Sequence, residues 1–302
     1  MRPEPNIPGP RPWERGWALA SVLWAVTMLS LMAAATQELT LTSHRTERRA
    51  WNRACADAAL HAAITQAILG ITAPTRDQRW RVDGTSREVT FGGFRLKVSV
   101  QAESGRYDLN AVDASVLTTL LRSQDVDPDR ATALTDSILD WRSPTGLHRL
   151  NGATNDEYAA AGLPYRPRHA AFQSVDELQL VLGMTPALFK RIRPALTVYT
   201  KRTMIDPALA PKEALLALYN RNADEVDAVL KARDQAGDMS QAIYASSHQS
   251  IINPGISLAG QAFDISAATW IEGRDYALEV VAVLTGSNQP AFITLSRRAT
   301  PE

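Results

Sequence analysis

The 302-residue sequence has a single cysteine, no excess of either charge and no motif of a known catalytic site. Cys55 therefore has no partner for an intramolecular disulfide. The 32 Lys and Arg residues balance the 32 Asp and Glu residues, which excludes a general basic surface for nucleic acid. No glycine-rich phosphate loop and no nucleophile elbow is present, and the five histidines lack metal-ligand spacing. We predict that the protein is not an enzyme.

One long apolar run dominates the N-terminal part of the chain. Residues 17–37 are 21 uncharged positions, which as a helix would span roughly 31 Å, enough to cross a bilayer. Arg15-Gly16 precedes the run directly, a junction that resembles the class III leader cut by prepilin peptidase between Gly16 and Trp17. A secretory signal cut after Ala35 and an uncleaved anchor are the alternatives. Arginines flank the run on both sides, so the flanking charge does not determine its orientation. These residues alone therefore do not decide between a prepilin leader, a secretory signal and an uncleaved anchor.

A second helix is predicted from Leu39 to Leu69, because this segment has no Pro or Gly until Gly70. Together with the apolar run it would form one helix of about 50 residues. A stripe at helical spacing predicts the face that packs on a domain. Its members are Trp51, Ala54, Ala58, Ala62, Thr65 and Leu69.

Strand patterns occur in two groups that are far apart in the sequence. Asp83-Gly84 is a favoured hairpin turn, and apolar residues alternate from Val89 to Val100. Strands are predicted again at residues 263–270, 276–285 and 292–297. Residues 105–245 have helical patterns between the two groups. This order indicates a helical domain inserted into an α/β host domain, with the two ends of the insertion close together.

Several pairs mark helix starts inside the inserted block. Asp127-Pro128 and Thr185-Pro186 have the form of an N-cap followed by proline. Residues 174–177 have the pattern of a capping box, and residues 222–225 form a weaker start signal.

The inserted block contains an internal repeat. Tyr107–Leu117 aligns with Ile205–Leu215, and each copy leads to a second helix, one ending in Arg142 and the other in Arg233. The Asp in each lead-in, at 108 or 206, is predicted to turn the chain into the helix by capping N–H groups.

The repeat unit resembles the helix-hairpin-helix or SAM-like motif, which raises a DNA-binding alternative. The hairpins of the two copies lack the glycine that presents backbone N–H groups to phosphate, and only Leu182–Thr185 has a suitable form. Residues 107–245 contain 18 Asp and Glu against 15 Lys and Arg, a net charge of −3. A phosphate-binding surface needs the opposite balance, so we expect no nucleic acid.

As an ordered series these segments resemble the minor pseudopilin K (GspK) family of type II secretion systems. The resemblance rests on the Gly16–Trp17 junction and on segments throughout the body of the chain. These are residues 108–111, 138–142 (Ile-Leu-Asp-Trp-Arg), 151–153, 157–158, 164–167, 172–178, 183–185 and 193–198.

The resemblance implies an α+β fold, in which a pilin-like long N-terminal helix and an antiparallel sheet carry an inserted all-α domain of SAM-like or helix-hairpin-helix repeats. The expected segments are a leader, a transmembrane helix, the first part of a pilin-like domain, the inserted helical domain and the second part of the pilin-like domain. Their expected bounds are 1–16, 17–37, 38–104, 105–245 and 246–302.

The resemblance also implies a function. The protein is expected to start and cap the pseudopilus tip for export of folded proteins, as a single-pass protein of the bacterial inner membrane with a periplasmic body. Implied partners are the I- and J-type minor pseudopilins, the major pseudopilin, the inner-membrane secretion platform and prepilin peptidase. Ser21 occupies the position where most pilins carry Glu, and the K family also lacks this carboxylate.

Calcium is the one cofactor that the resemblance implies. Carboxylate and carbonyl oxygens are the ligands that Ca²⁺ prefers, and the expected ones are Asp140, Asn151, Asp156 and Glu157, with Asn155 nearby. Ser143 stands where related sequences tend to have Asp, which weakens the expected site. The alternative from the residues themselves is that Asp140 pairs with Arg142 or caps a helix, while the charge of Asp156 and Glu157 favours a helix start.

Two other classes of function stay open on the sequence. One is a membrane-anchored helix-hairpin-helix DNA-binding protein of a competence-like system, which would depend on Arg191 and Arg193. The other is an exported soluble hydrolase, cut after Ala35.

Overall fold

The structure, a computed structural model, describes residues 12–75, 78–145, 148–236, 260–285 and 292–299. The predicted leader up to residue 11 and the predicted boundary at 245/246 lie outside these ranges. The chain divides into two compact units, residues 1–57 and 58–302. The elements are α1 (Pro12–Ile71), β1 (Asp83–Phe91), β2 (Phe94–Ala102), β3 (Tyr107–Asp108), α2 (Ala114–Ser123), α3 (Pro128–Arg142), α4 (Asn155–Ala160), α5 (Pro186–Ile192), β4 (Leu196–Thr197), α6 (Lys212–Leu218), α7 (Ala223–Ala236), β5 (Ala262–Ile271), β6 (Arg274–Leu284) and β7 (Phe292–Ala299).

The five long strands form one antiparallel sheet in the order β1-β2-β5-β6-β7. The two groups of predicted strands meet where β2 pairs with β5, from Leu96 opposite Thr269 to Ala102 opposite Phe263. All described helices except α1 lie between these two strands in the sequence. The α+β class, the antiparallel sheet and the long N-terminal helix are thus confirmed.

The C-terminal part of α1 packs on one face of the sheet, but not through the predicted stripe. Leu60, Ile64 and Ile68 are buried, whereas Leu69 is 65% exposed. The predicted stripe was wrong because the large aliphatic residues lie on the opposite face and bury more apolar area than the alanines do. We call the resulting cluster the sheet core, which consists of buried residues Ala59–Ile71 of α1 and the inward-facing residues of β1, β2, β5 and β6.

A second hydrophobic cluster, the helical core, lies among residues 107–230. Helix α2 packs against both α3 and α6. Trp141 stacks on Phe172 and lies beside Tyr158, with ring centroids 6.2 Å apart in both pairs. The parallel pair β3–β4 closes the region, with Tyr107 opposite Leu196. We refer to residues 103–236 as the helical region.

Two local predictions were wrong. Asp83-Gly84 does not turn a hairpin but belongs to β1, where Gly84 has a φ of +83° and the register shifts between Asp83 and Ser86. Ser174 precedes a 3-10 helix, Val175–Leu180, and its side chain makes no capping hydrogen bond. The N-caps at Asp127 and Thr185 are confirmed, since each accepts hydrogen bonds from the first turn of its helix.

Candidate functional site

The first part of α1 exposes large apolar side chains around its circumference. Trp17 is 79% exposed, and Trp24 and Leu29 are 67% and 73% exposed. The hydroxyls of Thr27 and Ser30 donate to carbonyl oxygens of their own helix. A helix that is apolar on all sides and satisfies its polar groups internally is typical of a membrane span or of a helix enclosed by others.

A later part of the same helix, Thr46–Ile71, is also long and apolar enough to cross a membrane. However, 44% of its apolar window is buried, because Leu60, Ile64 and Ile68 belong to the sheet core. Length and composition alone do not distinguish a core helix from a membrane span. The described apolar helix Leu19–Ala33 is shorter than a membrane span requires, but its exposed apolar surface fits a transmembrane anchor.

The predicted processing residues lie within regular helix. Helix α1 begins at Pro12, so its backbone runs through the Gly16–Trp17 junction. Ser21 is exposed one turn further along. Cleavage after Gly16 and the role of Ser21 stay predictions.

The residues predicted to bind calcium lie close together in sequence but have protein partners. Asp140 is 1% exposed, and its two carboxylate oxygens accept the Arg149 N–H at 3.2 and 3.1 Å. Burial raises the pKa of Asp140. The side-chain amide of Asn151 donates to Asp136 Oδ2 at 3.2 Å.

The other two predicted ligands start a helix. Glu157 and Thr154 form a capping box at the start of α4, as the alternative for Asp156 and Glu157 anticipated. Among the described residues, no group of three or more His, Cys, Asp or Glu side chains is placed to hold a metal ion. As placed, these residues do not present the six to eight oxygen ligands that Ca²⁺ needs. Calcium binding stays a prediction.

A cluster of charged side chains, buried at its centre and exposed at its edge, lies between the helical region and the sheet. Arg106 donates from one nitrogen to both Glu103 Oε1 at 2.9 Å and Asp264 Oδ2 at 2.8 Å. Arg193 donates to Glu279 Oε1 at 2.6 Å, and Arg298 pairs with Asp176. We call this set the charged junction, with members Glu103, Arg106, Asp176, Arg193, Asp264, Glu279 and Arg298.

Burial perturbs one member of the charged junction strongly. Glu103 is 1% exposed, and desolvation raises its pKa to about 7 despite the nearby Arg106. Asp264 Oδ1 is buried without a hydrogen-bond partner among the described residues. These atoms border a cavity of about 50 Å³, which is lined by residues of the 3-10 helices, β4 to β7 and the loop after β4.

A second polar contact joins the helical region to the sheet. Arg81 pairs with Asp83 at 2.5 Å and reaches Asp234 in α7 at 3.3 Å. The hydrogen bond from Arg81 helps to lower the pKa of Asp83, although burial opposes the shift. Gln101 Nε2 also donates to the carbonyl oxygen of Leu209 at 2.6 Å. These polar groups help to fix the helical region to the sheet, together with Leu209, which packs against the sheet core.

The two copies of the repeat make matching hydrogen bonds. The guanidinium of Arg142 donates to the carbonyl oxygens of Leu109 and Val112. The guanidinium of Arg233 donates to the equivalent carbonyl oxygens, those of Pro207 and Ala210. Each arginine thus ties the end of the second helix to the lead-in of its own copy.

The aspartates of the two lead-ins have different roles. Asp108 is fully buried and does not cap α2, whose N-cap residue is Asp113. Its carboxylate instead accepts hydrogen bonds from Asn110, Thr200 and Lys201. Asp206 does not cap α6 either, since the N-cap residue there is Pro211 and Asp206 accepts from Ala208 N. The predicted capping role was therefore wrong for both, and Asp108 holds two loops together at the β3–β4 pair.

Comparison with known proteins supports the family resemblance. Residues 96–201 match the family model described as type II secretion system (T2SS), protein K. The type II secretion system protein K of Klebsiella pneumoniae is 27% identical over 77% of this chain and 79% of its own length. The protein of the same description from Pseudomonas aeruginosa is 23% identical over 76% and 75%. These matches support the resemblance of this chain to type II secretion system protein K (GspK).

Members of the protein K family are components of the type II secretion system, and this chain is one of its minor pseudopilins. The fold agrees with a chain in the crystal structure of the GspK-GspI-GspJ complex from enterotoxigenic Escherichia coli. That chain is similar with a TM-score of 0.57 and 15% identity, over 87% of this chain and 99% of its own length. At this identity the similarity shows the fold alone.

Sequence reasoning missed the charged junction and the role of the two arginines. Glu103 and Asp264 are 161 positions apart, and no local pattern indicates that they meet. A signal for the arginines was present, since both copies of the repeat end in Arg at the same place. The equivalent positions of Arg142 and Arg233 would have predicted that each arginine makes the same contact within its own copy.

Proposed function

We propose that this chain caps the tip of the type II secretion pseudopilus, together with I- and J-type minor pseudopilins. The solved relative belongs to a complex of GspK with GspI and GspJ, which supports these partners. The major pseudopilin, the inner-membrane secretion platform and prepilin peptidase complete the proposed set. The role is mechanical and associative, with no catalytic step.

The all-round apolar surface of α1 between Trp17 and Met32 is the observation that carries this proposal. Trp17, Trp24 and Leu29 are 79%, 67% and 73% exposed within the described part of the chain, and so large an apolar area is stable only in lipid or against other helices. The proposed location is accordingly the inner membrane, in a single pass, with the body of the protein in the periplasm.

A tip position is supported by two further features. Ser21 has no carboxylate with which to neutralise the N-terminal ammonium of an adjoining subunit, and a carboxylate in lipid is costly unless paired. The helical region, inserted between β2 and β5, adds a folded mass that would obstruct a subunit added above it. We propose the bounds 38–104, 105–245 and 246–302 for the parts of the periplasmic body, and a SAM-like repeat for the inserted one.

The first test is the mature N-terminus of protein recovered from its native membrane. Mass spectrometry is expected to give a chain that starts at Trp17, and Gly16→Ala is expected to abolish that product. Gly9→Ala, in the same leader, is the matched control and should leave processing unchanged. A chain that starts at Thr36 would contradict the proposal.

The second test is assembly. The full chain in detergent is expected to co-purify with the I- and J-type pseudopilins of its own system. Introducing Arg in place of Leu29 is expected to weaken this association, because it puts a charge on the apolar surface. Introducing Arg at Thr203, an exposed residue of the helical region, is the control for an added charge. Failure of the unchanged chain to bind any pseudopilin would contradict tip assembly.

A further inference from the structure

The charged junction contains one more acidic group than basic groups. Its four carboxylates belong to Glu103, Asp176, Asp264 and Glu279, and its three guanidiniums to Arg106, Arg193 and Arg298. Arg106 is shared between two carboxylates. Among the residues that line the cavity in the described part of the chain, no Lys or His supplies a fourth cation. With all groups ionised, the site would carry a net charge of −1.

An unbalanced charge in a buried site is costly, and the group involved usually changes its protonation state instead. The cavity of about 50 Å³ is open to solvent on the side of Asp176 and Arg298, but Glu103 and Asp264 are only 1% and 8% exposed. With Arg106 these two carboxylates by themselves carry a net charge of −1, for which solvent compensates little. Asp264 Oδ1 lacks a hydrogen-bond partner among the described residues and lies in the same place. A single added proton would balance the four carboxylates against the three guanidiniums.

Glu103 is the carboxylate best placed to take that proton, because it is 1% exposed. It is surrounded by charged and titratable groups from every element packed around it. These are Arg106 on its own segment, Asp176 in the 3-10 helix Val175–Leu180, Arg193 in the 3-10 helix Arg193–Ala195, Tyr199 after β4, Asp264 on β5, Glu279 on β6 and Arg298 on β7. Its raised pKa, about 7, agrees with this placement.

We propose that the charged junction is a proton-responsive joint, in which uptake of one proton by Glu103 balances the charge and tightens the helical region against the sheet. The carboxyl oxygen of Glu103 gains the proton, and no other bond is made or broken. Two ion pairs join the helical region to the sheet here, Arg193 with Glu279 and Arg298 with Asp176. After protonation of Glu103 they belong to a cluster without net charge.

The direction of the effect follows from linkage. The ordinary pKa of Glu103 is 4.5 and burial in the folded state raises it to about 7. Between these values the folded state binds more protons than the unfolded state, so stability falls as pH rises and levels off above about 7. From pH 5.5 to 7.5 the folding equilibrium constant is expected to fall roughly 20-fold through this group.

The test is urea unfolding of the full chain in detergent micelles between pH 5.5 and 8.5. The free energy of unfolding of the wild type is expected to fall with rising pH, and this pH slope is expected to disappear in Glu103→Gln. The Gln side chain is neutral at every pH, and its amide oxygen can still accept a hydrogen bond from Arg106. The control, Asp234→Asn, removes a carboxylate from the other polar contact and should keep the slope. A wild-type chain without the slope, or a Glu103→Gln variant that retains it, would overturn the proposal.

A second variant tests the charge balance without altering Glu103. Ser296→Lys adds a fourth cation at the edge of the cavity. It is expected to flatten the pH slope by lowering the affinity of the site for the proton. A slope as steep as that of the wild type would count against charge balance as the cause, even if Glu103→Gln fails to fold.

Discussion

Asp108 is the side chain whose change to Asn we expect to destabilise the helical region most. It is fully buried, and its Oδ2 accepts from Thr200 N at 2.9 Å, Thr200 Oγ1 at 3.2 Å and Lys201 N at 2.7 Å. Its Oδ1 accepts from Asn110 N at 2.8 Å. Four donors therefore converge on one carboxylate, and an amide has only one oxygen to offer them.

The magnitude follows from the better of the two amide orientations. With the Asn oxygen at the Oδ2 position, one hydrogen bond to Asn110 N is lost and that N–H faces an NH₂ group. The other three bonds lose the strength that an ionised acceptor gives. A lost bond to a charged group costs about 1.5 to 3 kcal/mol, and weaker remaining bonds add to this. We expect Asp108→Asn to lower the free energy of unfolding by about 3 kcal/mol.

Asp206, the equivalent residue of the second copy, supplies a matched control. Its carboxylate is half-buried and accepts from Ala208 N at 3.1 Å, a bond that the oxygen of Asn can keep. Asp206→Asn is therefore expected to cost less than about 1 kcal/mol. Urea unfolding of the full chain, followed by tryptophan fluorescence, measures both variants. Equal effects of the two substitutions would refute the assignment of Asp108 as the central acceptor.

Three further outcomes are expected. Arg142→Met and Arg233→Met should each cost about 2 to 4 kcal/mol in urea unfolding, because two carbonyl oxygens lose their donor; a cost below about 0.5 kcal/mol in both would show that water replaces the guanidinium. Gly70→Ala should lower the melting temperature, since its Cβ would lie 2.3 Å from the ring of Trp80; an unchanged melting temperature would mean that the ring moves freely. Chelation with EDTA should leave the melting temperature unchanged, because backbone N–H groups already donate to the carboxylates of Asp140 and Glu157; a fall reversed by calcium would instead establish a metal site.

The long helix and the strands could be predicted from the sequence, but the packed face of α1 could not. Alanines lie on both faces of this helix, for example Ala58 on the exposed side and Ala59 on the buried side. A pattern of small residues therefore fits either orientation. The decisive signal was the spacing of Leu60, Ile64 and Ile68, whose greater apolar area determines which face is buried.

Helix starts were predictable where proline fixed the geometry and less so where a capping pattern stood alone. Asp127 and Thr185, each followed by proline, cap their helices. At Ser174 the capping pattern was misleading, because the carboxylate of Glu177 pairs with Arg168 and accepts from Gln173 N instead. A capping box forms instead at Thr154, with Glu157, a residue that was predicted to bind calcium.

The processing residues and the charged junction show two different limits. Gly16, Trp17 and Ser21 were proposed from family resemblance, because cleavage by a peptidase depends on a recognised sequence and not on packing within this chain. The junction joins Glu103 to Asp264 through Arg106, across the whole insertion. Its composition depends on the tertiary fold, which no local pattern encodes.

The pairing of β2 with β5 has a consequence for how the chain folds. An unstructured connection of more than 150 residues between two strands carries a loop-closure entropy that slows their pairing. Once residues 103–236 have folded, Asp234 lies within ion-pair distance of Arg81, just before β1, and the effective loop is much shorter. We therefore expect prior folding of the insertion to speed the pairing of β2 with β5, and Asp108→Asn to slow the folding of strands that Asp108 does not touch.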